Sequence, residues 1–515
     1  MAKRMIATFS KHRFQYATAP ASKDNFVERR VWLGHNRHMY NRRNFLGRLT
    51  AGTTGFLGLQ RFVQANPNLQ DYENEFHHYG DLVPDPEKLV DLPKGFSYRV
   101  VSRKGEEMAD GLLEPGLHDG MAAYPLGQDR ALLIRNHELS VGQEKEGAFG
   151  PNHERVDKVD PAKIYDPVSG KPFGGGTTNL IYNLRKREVE QRFMSLIGTL
   201  TNCAGGPTPW GTWISCEEDV LAKGDGREKD HGYNFEVPPF TKPQLVDPIP
   251  LREMGRFMHE AVAVDPKTSI VYQTEDREDG LIYRFIPNAP GQLARGGKLQ
   301  ALAIRDSNGH DLRNWPDSKP TDGEINGDTK KPAWGIHVGE ALDVRWVDLD
   351  EVEAPKDDLR VRGHQNGAAV FASGEGMWYD SNTVYFACTN GGRIKSGQIF
   401  KYTPSPFEGT AKEDQQPGRL TLFVEPNNTN IVEFADNLTV APWGDLIVAE
   451  DGPKVQYLRG ITPDGKMYTL ARNSLNLVEF TGPCFASNHN SLFVNMQSPG
   501  LTLEISGPWL QGRSS

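Results

Sequence analysis

Residues 209–218 read PWGTWISCEE, and residues 442–451 read PWGDLIVAED. Each stretch is a Pro-Trp-Gly turn followed by a short, mostly apolar run that ends in acidic residues. The same strand pattern begins again at Leu132, Ile270, Val384 and Leu492. Self-similar units that recur along a chain are typical of a repeat architecture, so the sequence predicts six copies of one structural unit.

The predicted unit consists of β-strands. Short runs of β-branched and aromatic residues, such as residues 270–272 and 384–386, are separated by Gly, Pro, Asn and Asp. Small antiparallel sheets repeated in this way predict an all-β fold, a six-bladed β-propeller with surface insertions. Residues 288–340, rich in Gly, Asp, Lys and Pro, are the predicted insertion. A β-sandwich is the alternative, but it would scatter the acidic positions that recur from unit to unit.

The charge of the chain limits its partners. The 515 residues carry a formal net charge of −9, and the first 65 residues are strongly basic, so the remainder is more acidic than the total suggests. An acidic surface repels nucleic acid and anionic lipid, and the sequence has no basic patch with interleaved aromatic residues. We therefore expect no nucleic-acid partner. An excess of carboxylates is what a protein that binds several cations needs.

An export signal is predicted near the N-terminus. A mild apolar run, residues 49–59, follows an arginine pair and precedes a small-residue cleavage site at residues 63–65. The signal residues are Arg42, Arg43, Phe45 and Leu46. The apolar run is too short and too rich in Gly and Thr to be a stable membrane anchor.

The signal predicts how the chain is divided. Residues 1–65 are interpreted as an upstream extension plus a twin-arginine signal peptide, with the true start at Met39. Residues 66–515 are predicted to form a single β-propeller catalytic domain. This interpretation makes the twin-arginine export machinery a partner, and it predicts a periplasmic or secreted protein.

Cys203, Cys216, Cys388 and Cys484 are the four cysteines of the chain. An exported protein with an even number of cysteines commonly forms disulfides. Twin-arginine substrates are typically exported already folded, often because a metal is inserted first, so a reduced cysteine can be a metal ligand here. A Cys203–Cys216 disulfide is the alternative.

Four predicted units place a metal-capable side chain at nearly the same position. Cys203, Glu260 and Asp436 each precede the strand pattern of their unit by ten residues, and Glu375 precedes its own by nine. If that position begins the strand nearest the propeller axis, rotational repetition brings all four side chains to one mouth of the central channel. Acids crowded there repel one another unless cations neutralise them. The spacing therefore predicts a metal site.

The strand patterns supply further candidate ligands, namely Asn136, Glu138, Glu217, Glu218, Glu450 and Asp451. Oxygen ligands suit hard cations such as calcium, whereas a thiolate beside carboxylates suits iron or another transition metal. The chain has no nucleophile elbow, phosphate-binding glycine loop or zinc-protease motif in a fitting context. Hydrolysis without a metal therefore has little support.

The assembled motifs resemble the PhoX family of alkaline phosphatases along nearly all of the predicted mature chain. They are RNHE at 135–138, NCAGG at 202–206, GRFMHE at 255–260, EG at 375–376, DNL at 436–438, EDG at 450–452 and TGP at 481–483. The resemblance implies a six-bladed, twin-arginine-exported, metal-dependent enzyme that hydrolyses small phosphate monoesters. We expect a monomer.

The resemblance also implies roles for individual residues. Cys203, Glu260 and Glu375 would be iron ligands, in a site that holds two ferric ions together with calcium. The other acids, with Asn437, would bind calcium, and Arg256 is a candidate phosphate contact.

One position departs from the family pattern. The well-studied phosphatases carry a phosphate-binding arginine two residues before the glutamate of the EG motif, where this chain has Ser373. Arg256, Arg135 or Arg393 could substitute for it. Two other functions are therefore considered: a calcium-dependent, lactonase-like hydrolase, and a non-catalytic binding propeller stabilised by metals.

Overall fold

Antiparallel strands dominate the computed structural model, which describes residues 71–316 and 335–510. The predicted upstream extension and export signal, residues 1–65, lie outside the described residues. In chain order the strands are β1 (Leu82–Val83), β2 (Val90–Pro93), β3 (Ser97–Arg103), β4 (His118–Pro125), β5 (Arg130–His137), β6 (Gly175–Asn183), β7 (Glu188–Thr199), β8 (Asn202–Pro207), β9 (Trp213–Glu217), β10 (Asn234–Val237), β11 (His259–Val264), β12 (Val271–Glu275), β13 (Ile282–Pro287), β14 (Gly297–Ile304), β15 (Ala341–Asp348), β16 (Gly374–Asp380), β17 (Thr383–Cys388), β18 (Gln398–Thr403), β19 (Arg419–Val424), β20 (Ala435–Val440), β21 (Leu446–Glu450), β22 (Tyr457–Ile461), β23 (Met467–Asn473), β24 (Phe480–Phe485), β25 (Leu492–Met496) and β26 (Leu501–Ser506).

Helices are few and short in the described residues. The α-helix there is α1 (Leu359–Gln365). The 3-10 turns are Glu144–Glu146, Val156–Lys158, Pro161–Lys163, Val168–Gly170, Arg252–Met254, Leu293–Arg295 and Glu413–Gln415. None of the helices in residues 71–316 and 335–510 has the length and apolarity that a bilayer crossing requires.

The strands form five hydrogen-bonded sheets. Their orders are β4-β5-β6-β7, β10-β9-β8, β24-β25-β26-β3, β1-β2-β23-β22-β21-β20 and β11-β12-β13-β14-β15-β19-β18-β17-β16. The prediction of an all-β propeller fold is confirmed, because the strands form antiparallel sheets whose inner strands contact one another in a closed ring. The count of six blades does not follow from the sheets alone, since the longest has nine strands.

Six inner strands, which we call the ring strands, enclose the centre of the fold. They are β4, β8, β11, β16, β20 and β24, and each contacts the next, with β24 contacting β4. The first four residues of every ring strand are buried, and in β11 all the residues from His259 to Val264 are buried. Each ring strand pairs in antiparallel orientation with the strand that follows it in the chain, which we call its second strand.

Apolar side chains fill the space between neighbouring sheets. One cluster joins Ile214, Phe257, Val262 and Phe285. Second strands such as β21, with the sequence LIVAE, are buried on both faces and so read as continuous apolar runs. These runs produced the repeating pattern in the sequence.

The N-terminal strands complete sheets that belong to the C-terminal part of the chain. β3 pairs with β26, and β2 pairs with β23. Closing a propeller with a strand from the other end of the chain leaves fewer exposed sheet edges. The predicted insertion at 288–340 is partly wrong, because β14 and its buried side chains belong to the nine-stranded sheet.

Candidate metal centre

The ring strands share a β-bulge near their start. The pairing register shifts between His118 and Met121, Asn202 and Gly205, His259 and Val262, Gly374 and Met377, Ala435 and Leu438, and Thr481 and Cys484. A bulge bends its strand and re-aims a side chain. The second residue of five ring strands can bind a metal, and these residues are Asp119, Cys203, Glu260, Glu375 and Asp436. The spacing in the sequence had identified four of them.

Small residues next to the bulges let the ring strands approach closely. A Cβ atom on Gly120 would lie 2.5 Å from the Ala204 Cα atom, and one on Gly376 would lie 2.5 Å from the Asp436 carbonyl oxygen. Neither distance is possible for a real side chain, so glycine is required at both positions. The close approach draws the second residues of neighbouring ring strands together.

The re-aimed side chains meet in four overlapping groups. The potential ligand atoms of each group lie within 4.8 Å of one another. The groups are Asp119, Glu138 and Cys203; Cys203, Glu218 and Glu260; Glu260, Glu375 and Asp436; and Asp436, Asp451 and Glu479. We call these nine residues the acid ring. Eight are buried, and Asp451 is half-buried.

Adjacent groups of the acid ring share a member. Cys203, Glu260 and Asp436 each belong to two groups. The Cys203 Sγ atom also donates a hydrogen bond to Glu260 Oε1 at 3.0 Å, with both side chains fully buried. The arrangement is a chain of neighbouring positions linked by common ligands, which suits several cations held side by side.

Second strands supply the ring acids Glu138, Glu218 and Asp451. Each stands one residue beyond the end of its strand, β5, β9 or β21. The residues just before them point elsewhere, because successive side chains of a strand face opposite sides. The four groups in the described residues therefore include Glu218 and Asp451 but not their neighbours Glu217 and Glu450.

Glu217 binds loops of the protein. Its carboxylate accepts hydrogen bonds from the backbone N–H groups of Leu200 at 2.9 Å and Gly232 at 3.0 Å, and from His231 Nδ1 at 2.7 Å. Burial lowers the pKa of His231, but the charge of Glu217 and hydrogen bonds to Asp166 and Glu217 outweigh burial and raise the pKa to about 9. Glu217 is thus held by hydrogen bonds within the protein and is not part of the four groups of ligand atoms in the described residues, so its role as a metal ligand stays a prediction.

Glu450 likewise lies outside these groups, and its role as a metal ligand stays a prediction. Its carboxylate accepts hydrogen bonds from Arg459 Nε at 2.8 Å and from the Glu433 N–H group at 2.9 Å, and burial raises the pKa of this carboxyl. Glu275, at the equivalent end of β12, accepts from the Tyr283 hydroxyl at 2.7 Å, and burial raises its pKa to about 7. These three acids, Glu217, Glu275 and Glu450, are called the anchor acids.

The predicted amide ligands, Asn136 and Asn437, bind the strands that carry the ring. Asn136 Nδ2 donates to the Cys203 carbonyl at 3.1 Å, and its Oδ1 accepts from Trp213 Nε1 at 2.9 Å. Asn437 Nδ2 donates to Asp436 Oδ1 at 3.0 Å, and its Oδ1 accepts from the Gly482 N–H group at 2.7 Å. Both side chains thus fix the position of a ring residue.

Two ring residues, Asp119 and Glu479, were missed in the sequence. Asp119 was hidden because it precedes Leu132 by 13 residues, so it does not share the offset of nine or ten found in the other units. Its local motif, His118-Asp119-Gly120, parallels His259-Glu260-Ala261 and could have revealed it. Glu479 directly precedes β24 and has no acidic counterpart in the other units, so no repeat signal marks it.

The four cysteines all lie in the described residues, and none of them forms a disulfide. Burial, together with the nearby charge of Glu260, raises the pKa of Cys216. Cys203 is therefore a candidate ligand, and the alternative Cys203–Cys216 disulfide does not form in this structure.

The comparisons with known proteins agree with this geometry. The profile of the family described as Alkaline phosphatase PhoX matches residues 77–181 and 175–500. The chain belongs to the PhoX family. It is accordingly a phosphoric monoester hydrolase of the alkaline phosphatase type. No curated protein matches the chain.

One solved structure shows the same fold. The structure of Pseudomonas fluorescens PhoX in complex with vanadate, a transition state analogue, has 17% sequence identity and a TM-score of 0.59, and the match covers 83% of this chain and 97% of that one. A gluconolactonase from Xanthomonas campestris has 11% identity and a TM-score of 0.35, over 84% of this chain and 98% of that one.

The arginines considered for phosphate binding in this PhoX-family chain have different surroundings. Arg256 is buried and donates to the backbone carbonyls of His231 at 2.7 Å and Ala354 at 3.4 Å. Arg135 is buried and pairs with Glu114 at 2.6 Å. Their guanidinium groups bind the protein itself. Arg393 is exposed, on the loop between β17 and β18.

Ser373 directly precedes β16 in the left-handed region, with φ 50°. Its N–H group donates to the Arg277 carbonyl at 2.7 Å, and its own carbonyl accepts from the Thr389 N–H group at 2.9 Å. Position 373 therefore fixes the turn that leads into the acid ring. Its backbone links the loop after β12 to the loop after β17.

Proposed function

We propose that the acid ring is the catalytic centre of this phosphatase and that it acts on phosphate monoesters by binding several metal ions. One observation carries the proposal: four groups of buried ligand atoms, each within 4.8 Å, overlap through Cys203, Glu260 and Asp436. Shared carboxylates are suited to bridging neighbouring cations. The expected substrates are small organic phosphate esters.

The donor set suits a mixed site. Cys203 with Glu260 offers a sulfur donor and a carboxylate, which suits iron, whereas Asp119, Glu138 and the acids around Asp436 offer carboxylate oxygens, which suits calcium. The resemblance to known members supports ferric ions, two in number, with Cys203, Glu260 and Glu375 as ligands. Elemental analysis of the purified protein tests this assignment, and a protein without iron would contradict it.

When bound, such cations would neutralise the phosphoryl oxygens and help to generate the attacking oxygen. The chain's own residues prepare the site. The bulges fix the direction of the ring carboxylates, and burial of the ring keeps bulk water away from them. The Cys203 thiol donates a hydrogen bond to Glu260 Oε1 at 3.0 Å. The thiol must lose the proton of this hydrogen bond before the sulfur can bind a cation.

We also propose that the fold has six blades. The nine-stranded sheet has a ring strand at each end, β11 and β16, so it represents two blades joined by β15. Each of the six ring strands then begins one blade, and the unit Asp71–Ser515 is the catalytic domain. A crystal structure in which β15 did not pair with both β14 and β19 would overturn this count.

We further propose export by the twin-arginine route, with maturation near residue 65 and function as a monomer in the periplasm or outside the cell. The arginine pair, the apolar run and the cleavage motif support this proposal. Mass spectrometry of the exported protein would contradict it if the mature N-terminus lay well before residue 65. Light scattering tests the monomer.

The activity is tested by metal removal and return. Protein loaded with iron and calcium is expected to hydrolyse p-nitrophenyl phosphate at alkaline pH, to lose turnover with a chelator and to regain it when both metals return. A metal-loaded protein without turnover would favour the non-catalytic binding propeller. Chelator-sensitive hydrolysis of lactones alone would favour the lactonase-like alternative.

A further inference from the structure

The blade that contains β24, β25 and β26 contributes neutral side chains where other blades contribute acids. Thr481 occupies the second position of ring strand β24. Gln497 stands one residue beyond the end of β25, the place that Glu138, Glu218 and Asp451 occupy in their blades. We call Thr481, Gln497 and Asn495 of β25 the neutral sector; the acid that this blade does contribute, Glu479, lies directly before β24.

The side chains of this sector are directed at the blade that begins with β4. Thr481 Oγ1 donates to the His118 carbonyl at 2.7 Å, and Asn495 Nδ2 donates to the Asp119 carbonyl at 2.7 Å. Gln497 Nε2 donates to two ring carboxylates, Asp119 Oδ2 at 3.2 Å and Glu138 Oε2 at 2.6 Å. The neutral sector thus fastens the backbone and the side chains of the neighbouring blade.

Gln497 also reaches the last group of the ring. Its backbone N–H group donates to the Glu479 carbonyl at 3.3 Å. The side chain is 6% exposed, so its hydrogen bonds compete little with water. Gln497 connects the first group of ligands, through its side chain, to the last group, through its backbone.

We propose that Gln497 is a positioning residue for the cation site to which Asp119 and Glu138 contribute carboxylates. This inference rests on the proposed function, since it requires the acid ring to bind metal. One amide group holds the two carboxylates side by side by binding Asp119 Oδ2 and Glu138 Oε2, and the Gly120 N–H group holds Asp119 Oδ1 at 2.7 Å. The orientation of the carboxylates is thus fixed before a cation binds, so less side-chain freedom is lost on binding.

Calcium titration of the metal-free protein tests the proposal without an activity assay. Gln497→Met keeps the size of the side chain and removes the N–H donors. We expect one class of calcium sites to weaken by about 10- to 100-fold, as is usual when a partner of a metal ligand is lost. The remaining sites should keep their affinity.

Gln300 provides a matched control. It is similarly buried, its Nε2 donates to Asp348 at 2.6 Å, and its Oε1 accepts from Arg284 at 2.8 Å, outside the acid ring. Gln300→Leu is expected to lower the free energy of unfolding and to leave calcium binding unchanged. Equal loss of calcium affinity in Gln300→Leu and Gln497→Met would overturn the proposal.

Two further variants separate positioning from folding. Gln497→Asn keeps the amide but is one methylene too short to reach both carboxylates, so it should weaken the same site. In a double-mutant cycle, Gln497→Met should add little to the loss of calcium affinity caused by Glu138→Gln, because both act on one carboxylate.

The proposal would be overturned if either Gln497 variant folded and bound calcium with wild-type affinity. It would also be overturned if neither Gln497 variant folded while Gln300→Leu did. A protein that lacks turnover but loses one calcium site in Gln497→Met would contradict the proposed function alone.

Discussion

Two of the anchor acids, Glu217 and Glu450, directly precede members of the acid ring, yet the surroundings of the two sets differ. Glu217, Glu275 and Glu450 meet donors within the protein, such as His231, Tyr283 and Arg459. Glu218 and Asp451, their direct neighbours in sequence, lie within 4.8 Å of other ring ligands. The position of an acid relative to the strand end therefore decides whether it binds a loop or helps to form the metal centre.

This difference has an energetic meaning. A buried carboxylate is expensive unless donors or an opposite charge compensate it, and the anchor acids obtain this compensation as the chain folds. The ring acids are crowded against like groups, and their full compensation requires cations. Changes at the anchors should therefore affect stability with or without metal, whereas changes in the ring should affect metal binding and turnover.

The largest expected effect is on stability, from Arg459→Met. The variant leaves Glu450 buried without its arginine, and removal of one partner from a buried ion pair costs about 3–5 kcal/mol. Denaturant unfolding of the metal-free protein measures this cost. The double variant Arg459→Met, Glu450→Gln should recover most of it, and equal stability of Arg459→Met and the wild type would contradict the anchor role.

The next effect is a pH dependence of stability from His231. Its pKa of about 9 in the folded state exceeds the ordinary value of 6.5, so its contribution is complete below pH 6.5 and is lost as the pH rises through 9. The shift corresponds to about 3 kcal/mol. The difference in the free energy of unfolding between wild type and His231→Gln should shrink by this amount between pH 6 and pH 10. A difference that is constant across this range would show that folding does not raise the pKa of His231.

The smallest of the three effects in free energy is expected from a change within the ring. Glu260→Gln alters a ligand common to two groups and should reduce kcat/KM by at least about 100-fold, equivalent to about 2.7 kcal/mol. The metal-free variant should be at least as stable as the wild type, because one crowded charge is gone. Glu217→Gln is the control, and it should lose stability but retain bound metal. Unchanged metal content and turnover in Glu260→Gln would exclude the ring as the catalytic centre.

The repeat made the propeller predictable from sequence, because buried second strands such as β21 read as apolar runs of similar length. It also placed Cys203, Glu260, Glu375 and Asp436 together, since residues at the same position in each repeat lie at the same height along the propeller axis. The same reasoning could not separate Glu217 from Glu218. That distinction depends on the residue at which β9 ends, and a sequence pattern does not fix a strand end to one residue.

Other details depend on contacts between distant segments. β15 joins two sheets through pairings with β14 and β19, and no local sequence pattern predicts that connection. The segment 288–340 looked like an insertion because its turn residues outnumber the apolar residues of β14. Gln497 carries no metal-ligand signal at all, and its contacts with Asp119 and Glu138 arise from the closure of the propeller.

The pairing of β3 with β26 has a consequence for biosynthesis. A ribosome releases β3 long before β26, so the blade that they share cannot form until β26 has been synthesised. The first and last groups of the ring, which contain Asp119 and Glu479, are joined through Gln497 in the same late event. A chain that stops short of β26 can fold some blades but cannot close the circle, so the complete centre forms only after β26 has left the ribosome.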